Sequence, residues 1–412
     1  MSRTTSLVVT LGLALSTFAV EDARSQQAAI FSNRDLVHPV YGANGMVASQ
    51  EAVATAVGLE VLKNGGNAVD AAVSVAFALA VTLPRAGNLG GGGFMMVHDA
   101  ESGETVAIDY RERSGEAAFR DMYLDEQGKA DPEKSRFSGL AVGVPGTVAG
   151  MALALEHYGS ISLADALAPA ITLAENGIEV TPDLAYSLKG LSERLQKWPS
   201  SAAVFYKDDG VPFEPGETLV QSDLAASLEL IAENGPAAFY EGPIAEGIVA
   251  AVEAADGHLT MEDFKSYEVK LREPVTGTYR GYDIVSMPPP SSGGIHIVQI
   301  LNTLEDVPMG FLGHNSADGI HMMAEAMKVA YADRSEYLGD PDFVDVPVKT
   351  LTSKDYAAEI LAGISQGRAA TAAEIKPGDL TPYESNETTH FSVVDADGNA
   401  VANTYTINFS YG

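Results

Sequence analysis

The chain has 412 residues, 46% hydrophobic and 20% charged, with 25 Lys and Arg against 56 Asp and Glu, so the formal charge is 25 − 56 = −31. Apolar material on this scale excludes wholesale disorder, and the acidic balance excludes nucleic acid and an anionic membrane surface as partners, because both need a basic face. The absence of cysteine excludes disulfides, thiolate metal sites and a cysteine nucleophile.

Residues 1–25 read as a secretory signal. Arg3 supplies a positive start, residues 7–20 are mostly apolar, and Ala23-Arg24-Ser25 offers a small-x-small cleavage site. The apolar run is shorter than the roughly 18 residues of a spanning helix, so the expectation is an exported protein, secreted or periplasmic, with no membrane anchor. Helices are predicted over residues 51–63, with Ser49 as N-cap, and over residues 68–82, where the pattern is apolar almost all round and requires burial. Gly87-Asn88-Leu89-Gly90-Gly91-Gly92-Gly93 follows, then strands over 94–98 and 105–110 around a Ser102-Gly103 turn.

Residues 144–345 read as mainly helical, with helices over 147–158, 163–176 and 223–234 and a capping box at Thr260-Met261-Glu262-Asp263. A strand is expected over 275–286, then Pro288-Pro289-Pro290-Ser291-Ser292-Gly293-Gly294 and a helix over 295–304. Two β-rich runs, 388–395 and 400–408, are joined by the hairpin signal Ala396-Asp397-Gly398-Asn399. No repeat or long linker interrupts the chain, which predicts one α/β body. A stop directly after a strand, at Gly412, predicts the front part of a longer polypeptide.

Common catalytic signatures are absent: no phosphate-binding G-x-x-x-x-G-K-[ST], no H-E-x-x-H and no G-x-S-x-G. The glycines at 87–93 precede a strand instead of following one, which argues against a dinucleotide. The eight histidines are scattered, and His314 and His321, seven apart, read as solvated or core side chains. Asp340-Pro341-Asp342-Phe343-Val344-Asp345 lacks the glycine and distant glutamate of a calcium loop and reads as a turn. No metal and no cofactor are expected. Ser291-Ser292-Gly293-Gly294 before a helix fits either an anion-binding nest or a tight turn with a helix cap.

Thr388 stands at a loop-to-strand junction, in Glu384-Ser385-Asn386-Glu387-Thr388-Thr389-His390. A threonine hydroxyl needs an adjacent base, and its own α-amine, freed by cleavage of the preceding bond, is one such base. An α-amine with a pKa of about 7.7–8.0 is partly neutral near neutral pH. Threonine also commonly begins strands, so the position alone decides nothing.

The stretch Asn386-Glu387-Thr388-Thr389-His390-Phe391-Ser392-Val393-Val394-Asp395, with Gly398-Asn399-Ala400-Val401 and Thr404-Tyr405-Thr406-Ile407-Asn408, resembles the processing-site hairpin of γ-glutamyltranspeptidases. Gly65-Gly66-Asn67-Ala68-Val69-Asp70-Ala71-Ala72, the glycine block at 87–94, Pro145-Gly146-Thr147-Val148-Ala149-Gly150 and residues 287–294 are also similar to family blocks, in order along the chain. The resemblance implies an N-terminal-nucleophile hydrolase with an αββα sandwich, incomplete at its C-terminus. It implies self-cleavage between Glu387 and Thr388, giving a large subunit (26–387) and the start of a small subunit (388–412). Thr388 would be the nucleophile, Thr406 its supporting hydroxyl and a substrate contact, Asn408 a substrate contact on the same strand face, and Arg111 the clamp for a substrate carboxylate.

The implied reaction transfers a γ-glutamyl group from glutathione or another γ-glutamyl donor to water, an amino acid or a peptide. The family's remaining pocket residues lie downstream of this hairpin, and the Ser-Ser role in that pocket does not transfer to Ser291-Ser292. A chain lacking them is expected to mature poorly. The alternatives are a glutaryl or cephalosporin-type acylase of the same fold and a non-catalytic protein that does not process itself.

Overall fold

A helix without a polar side can only be satisfied at the centre of a fold, and that is where residues Ala68–Thr82 lie. The computed structural model describes residues 40–371, 374–375 and 388–412; the proposed signal at 1–25 and Glu387 lie outside the described residues. Contacts divide the chain into residues 1–42 and residues 43–412, and the account below concerns the second unit.

Helix α1 spans Ala52–Lys63 and helix α2 spans Ala68–Thr82, with all 15 residues of α2 buried. Asn67 and Asp70 form a capping box at the start of α2. The Asp70 carboxylate also accepts from the Ser160 backbone N–H at 2.7 Å, which ties α2 to a distant loop. The cap of α1 differs from expectation. Glu51, not Ser49, accepts from the N–H groups of Val53 and Ala54, because its longer carboxylate reaches both; Ser49 Oγ instead pairs with Thr55 Oγ1 at 2.7 Å.

Ten strands occur among the described residues: β1 (Met46–Ala48), β2 (Gly92–His98), β3 (Thr105–Asp109), β4 (Ile178–Glu179), β5 (Thr218–Leu219), β6 (Lys270–Arg272), β7 (Val275–Tyr279), β8 (Tyr282–Ser286), β9 (Thr388–Val394) and β10 (Ala400–Thr406). Six make one antiparallel sheet in the order β1-β9-β10-β2-β3-β6. Alternate residues point to opposite faces. Phe391, Val393, Val401, Tyr405, Met95, Val97 and Ile108 go inward, into the core formed with α2. Phe391 and Tyr405 meet edge-on at 6.0 Å, and Tyr405 Oη donates to the Ala76 carbonyl of α2 at 2.8 Å. The opposite face carries Thr388, His390, Ser392, Thr404, Thr406 and Phe94, all at least partly exposed.

The expected single strand over 275–286 is a hairpin, β7-β8, turning at Arg280 and Gly281, both with positive φ. An arginine in that conformation is not a usual turn signal. The tertiary structure holds it: Arg280 N–H donates to Glu305 Oε1 at 3.0 Å and its guanidinium to the Glu305 and Val307 carbonyls. The hairpin packs on the helix Gly293–Leu304, and Ala317–Tyr337 and Lys354–Gly363 complete this second helical region. Its small cores centre on Val275, Ile295, Val298 and Leu351, and on Leu304, Val307, Met322 and Ala326.

Candidate active site

Three strand registers bring the candidate residues into one row. Thr388 pairs with Thr406, and Thr406 pairs with Gly92. Gly93 and Tyr110 exchange backbone hydrogen bonds at 3.3 and 3.0 Å, which sets Arg111 beside Gly92. Thr388, Thr406, Gly92 and Arg111 therefore lie side by side on the uncovered face, with strands spaced about 4.8 Å apart. Opposed Cβ atoms in such a pair are about 4.5–5.5 Å apart, so the Thr388 and Thr406 hydroxyls are neighbours. The Thr406 hydroxyl donates to the Ile407 carbonyl at 2.8 Å.

The glycines follow from this packing. A Cβ on Gly92 would lie 2.6 Å from the Tyr110 carbonyl oxygen and 2.8 Å from the Glu112 nitrogen, so only glycine lets the 110–112 backbone cross there. A Cβ on Gly91 would lie 2.1 Å from the Thr406 carbonyl oxygen. The Gly91 carbonyl accepts from Gly146 and Thr147, and Asn88 Oδ1 accepts from Thr147 Oγ1 at 2.8 Å. Asp395, in the turn after β9, accepts from the Ala68 N–H at the start of α2 at 3.0 Å. Three motif blocks far apart in sequence thus converge on the β9-β10 hairpin.

Arg111 is held from three sides. Its guanidinium lies 5.8 Å from the centre of the Phe94 ring, its carbonyl accepts from Tyr267 Oη at 2.8 Å, and its N–H donates to Asp109 at 3.2 Å. Asp109 is buried and accepts at 2.8 Å from Arg272 Nε, whose other nitrogens pair with both oxygens of Asp342. The turn at 340–342 thereby supports the backbone of Arg111. Burial pushes the Glu112 carboxyl above its usual range, against the opposing pull of backbone hydrogen bonds and Arg111. Asp109, Arg272 and Tyr267 were not identified from the sequence; nothing in their spacing distinguishes them from surface charge or an ordinary core tyrosine.

Asn408 does not share the strand face with Thr406. Strand β10 ends at Thr406, and Asn408 lies in a bend, with its amide donating to the Arg136 carbonyl at 2.8 Å. Hydrogen bonds from Tyr411 N–H to the Arg85 carbonyl and from Arg194 to the Ser410 carbonyl draw this segment off the sheet. Ser291 and Ser292 line a depression of about 420 Å³ with Arg111 and Phe94. Ser292 occupies the helix N-cap position without making a side-chain cap bond. The segment around Asp340 is a turn, with Phe343 N–H donating to the Asp340 carbonyl at 3.0 Å. Among the described residues no cluster of three or more His, Asp or Glu side chains is arranged to hold a metal.

The sequence profile described as Gamma-glutamyltranspeptidase matches residues 54–412. This chain belongs to the gamma-glutamyltranspeptidase family. It is 56% identical over 379 residues to the "Glutathione hydrolase proenzyme" of Escherichia coli (strain K12), covering 92% of this chain and 65% of that protein. It spans about 65% of the length of the first curated relatives it matches. Among solved structures, the gamma-glutamyltranspeptidase of Helicobacter pylori superposes with a TM-score of 0.81 at 46% identity, covering 84% of this chain and 100% of that one. A cephalosporin acylase from Bacillus halodurans superposes with a TM-score of 0.77 at 29% identity, covering 93% and 70%. The fold class is accordingly the α/β sandwich of N-terminal-nucleophile hydrolases. Of this gamma-glutamyltranspeptidase architecture the described residues carry a helical layer and the six-stranded sheet with the row Thr388, Thr406, Gly92 and Arg111. No described helix is long and apolar enough to cross a membrane.

Proposed function

We propose that the protein is a γ-glutamyl transferase and glutathione hydrolase that works through Thr388. The row Thr388–Thr406–Gly92–Arg111 supports the reading, because two threonine hydroxyls and a guanidinium on one sheet face suit a nucleophile, a supporting hydroxyl and a carboxylate clamp. In the first stage, cleavage of the Glu387–Thr388 bond frees the Thr388 α-amine and separates a large subunit from the small subunit that begins at Thr388. In the second, the Thr388 hydroxyl attacks the γ-amide carbonyl of glutathione or another γ-glutamyl donor and passes its proton to the α-amine. The amine then returns that proton to the departing nitrogen, leaving a γ-glutamyl ester on Thr388. Water, an amino acid or a peptide resolves the ester.

Thr406, with its own proton committed to Ile407, lies beside Thr388 in the strand register and orients its hydroxyl by packing, which leaves the Thr388 proton for the α-amine. Arg111 grips the substrate α-carboxylate in the two-pronged geometry that guanidinium offers and ammonium lacks. Asn408 contributes as a substrate amide contact next to the strand end. The segment at 1–25 directs export. No cofactor is required by this scheme.

The test is the intact mass of the full-length exported protein beside a Thr388→Ala variant. Cleavage before Thr388 in the wild type alone, followed by glutathione turnover, supports the reading; an uncleaved, correctly folded wild type overturns it. A second reading, hydrolysis of glutaryl or cephalosporin side chains, draws on the likeness to the cephalosporin acylase. Turnover of γ-glutamyl anilide at least tenfold above glutaryl anilide excludes it, and the reverse ratio installs it.

A further inference from the structure

The depression that holds Arg111 holds a second arginine. Arg334, in the last turn of the helix Ala317–Tyr337, lines the same cavity, together with Phe94, Ser291 and Ser292. No acidic side chain lines it. In a chain with 56 carboxylates and 25 basic groups, guanidiniums are expected to find acidic partners, and several do. Arg272 has three carboxylates within 4 Å, Arg85 pairs with Asp183 and Arg368 with Glu374. Among the described residues neither Arg111 nor Arg334 has a carboxylate within that distance.

Two like charges in one depression repel each other, and a bound anion relieves both. The neighbouring acid does not fill this role. Asp333 turns the other way, into the helix interface, where it accepts from Gln299 Nε2 at 2.5 Å and from Tyr356 Oη at 2.9 Å. The cavity, about 420 Å³, lies within the roughly 300–1,000 Å³ of small-ligand sites and exceeds what one carboxylate occupies. Ser292 adds a hydroxyl that is not used to cap its own helix.

We propose that Arg334, with the Ser291 and Ser292 hydroxyls, forms a second carboxylate subsite that recognises a carboxylate of the substrate other than the one held by Arg111. The ligand class is a γ-glutamyl peptide with a free C-terminal carboxylate. This deepens the functional reading above and rests on it. Arg111 binds the glutamyl end, which all donors share; Arg334 binds the far end, which distinguishes a γ-glutamyl peptide from a γ-glutamyl amide. Arg334 would therefore set donor preference instead of general reactivity.

The experiment is a cycle between protein and ligand, using the full-length protein. The kcat/KM values for glutathione and for glutathione amidated at its glycine carboxylate are compared in the wild type, Arg334→Gln and Arg334→Lys. Amidation is expected to cost the wild type about tenfold, Arg334→Lys less, and Arg334→Gln under twofold, since the carboxylate then has no partner to lose. An equal cost of amidation in all three proteins overturns the subsite, as does a wild type indifferent to amidation. Should the wild type turn over no γ-glutamyl donor at all, it is the functional reading that falls. The subsite then stands or falls on glutarate binding by titration calorimetry: weakening of tenfold or more in Arg334→Gln sustains it, and unchanged binding removes it.

Discussion

The two faces of strand β9 are built from adjacent residues and obey different rules. Thr389, Phe391 and Val393 are buried against α2, at 1%, 0% and 1% exposure. Thr388, His390 and Ser392 alternate with them on the uncovered face, where hydroxyl and imidazole groups pair with one another: His390 Nδ1 lies 2.7 Å from Thr404 Oγ1 and Nε2 lies 3.1 Å from Ser392 Oγ. A one-residue slip in register would exchange the two sets. The inner face pins the strand so that the outer face can present a hydroxyl at a fixed place. Stability and chemistry are thus separable by parity along a single strand, which makes the comparison open to mutation.

The largest effect is expected at the strand's first residue. Thr388→Val should lower γ-glutamyl turnover by on the order of a thousandfold or more, as loss of a covalent nucleophile does, while the melting temperature stays near that of the wild type. A marked fall in thermal stability would place Thr388 among the structural residues and erase the distinction. Phe391→Ala, three residues along on the other face, should behave oppositely, costing about 3–5 kcal/mol in denaturant unfolding through lost burial and a cavity against Tyr405. Near-normal stability in that variant would show that the β9–α2 contact is dispensable.

Asp109→Asn tests a residue that serves both roles, because it supports the Arg111 backbone and neutralises Arg272. Stability should fall by about 1–3 kcal/mol, and KM for γ-glutamyl donors should rise more than kcat falls, since Arg111 would be loosened and not removed. Equal loss in both parameters would argue that Asp109 affects the nucleophile instead.

Thr389→Val sharpens the contrast at the smallest chemical scale. The Thr389 hydroxyl is buried with no hydrogen-bond partner among the described residues. Replacing it with a methyl of the same shape should leave turnover intact and raise stability by up to about 1 kcal/mol; a loss of stability would point to a partner for that hydroxyl.

The mildest effect is one of pH. Burial lowers the His390 pKa in the folded state, so the unfolded chain takes up that proton first as pH falls. The contribution is whole above the unfolded value, about 6.5, and is lost as pH drops through the lower folded value. Partial exposure makes the slope shallow. His390→Gln should flatten the melting temperature between about pH 7.5 and pH 5, and an unchanged slope would assign it to other groups.

Periodicity marked α2 as buried on all sides, and the two β-rich runs with their turn marked the β9-β10 hairpin, because those signals are local and strong. The motif resemblance marked Thr388, Thr406 and Arg111. Local signals failed where tertiary contacts overrode them: the turn at Arg280-Gly281 is held by Glu305 and Val307, and Asn408 leaves the sheet because Arg136, Arg85 and Arg194 hold the last residues elsewhere.

By itself, the amino-acid sequence determined the acidic, cysteine-free character of the chain, the apolar central helix, the β9-β10 hairpin and membership of its family. Each of these is written in residue type and short-range spacing. Only the tertiary structure decided that Thr388, Thr406, Gly92 and Arg111 share one row, that Asp109 and Arg272 support it, and that Arg334 faces the same cavity as Arg111. Those relations join residues hundreds of positions apart, and strand register and helix packing, not local preference, set the distances between them.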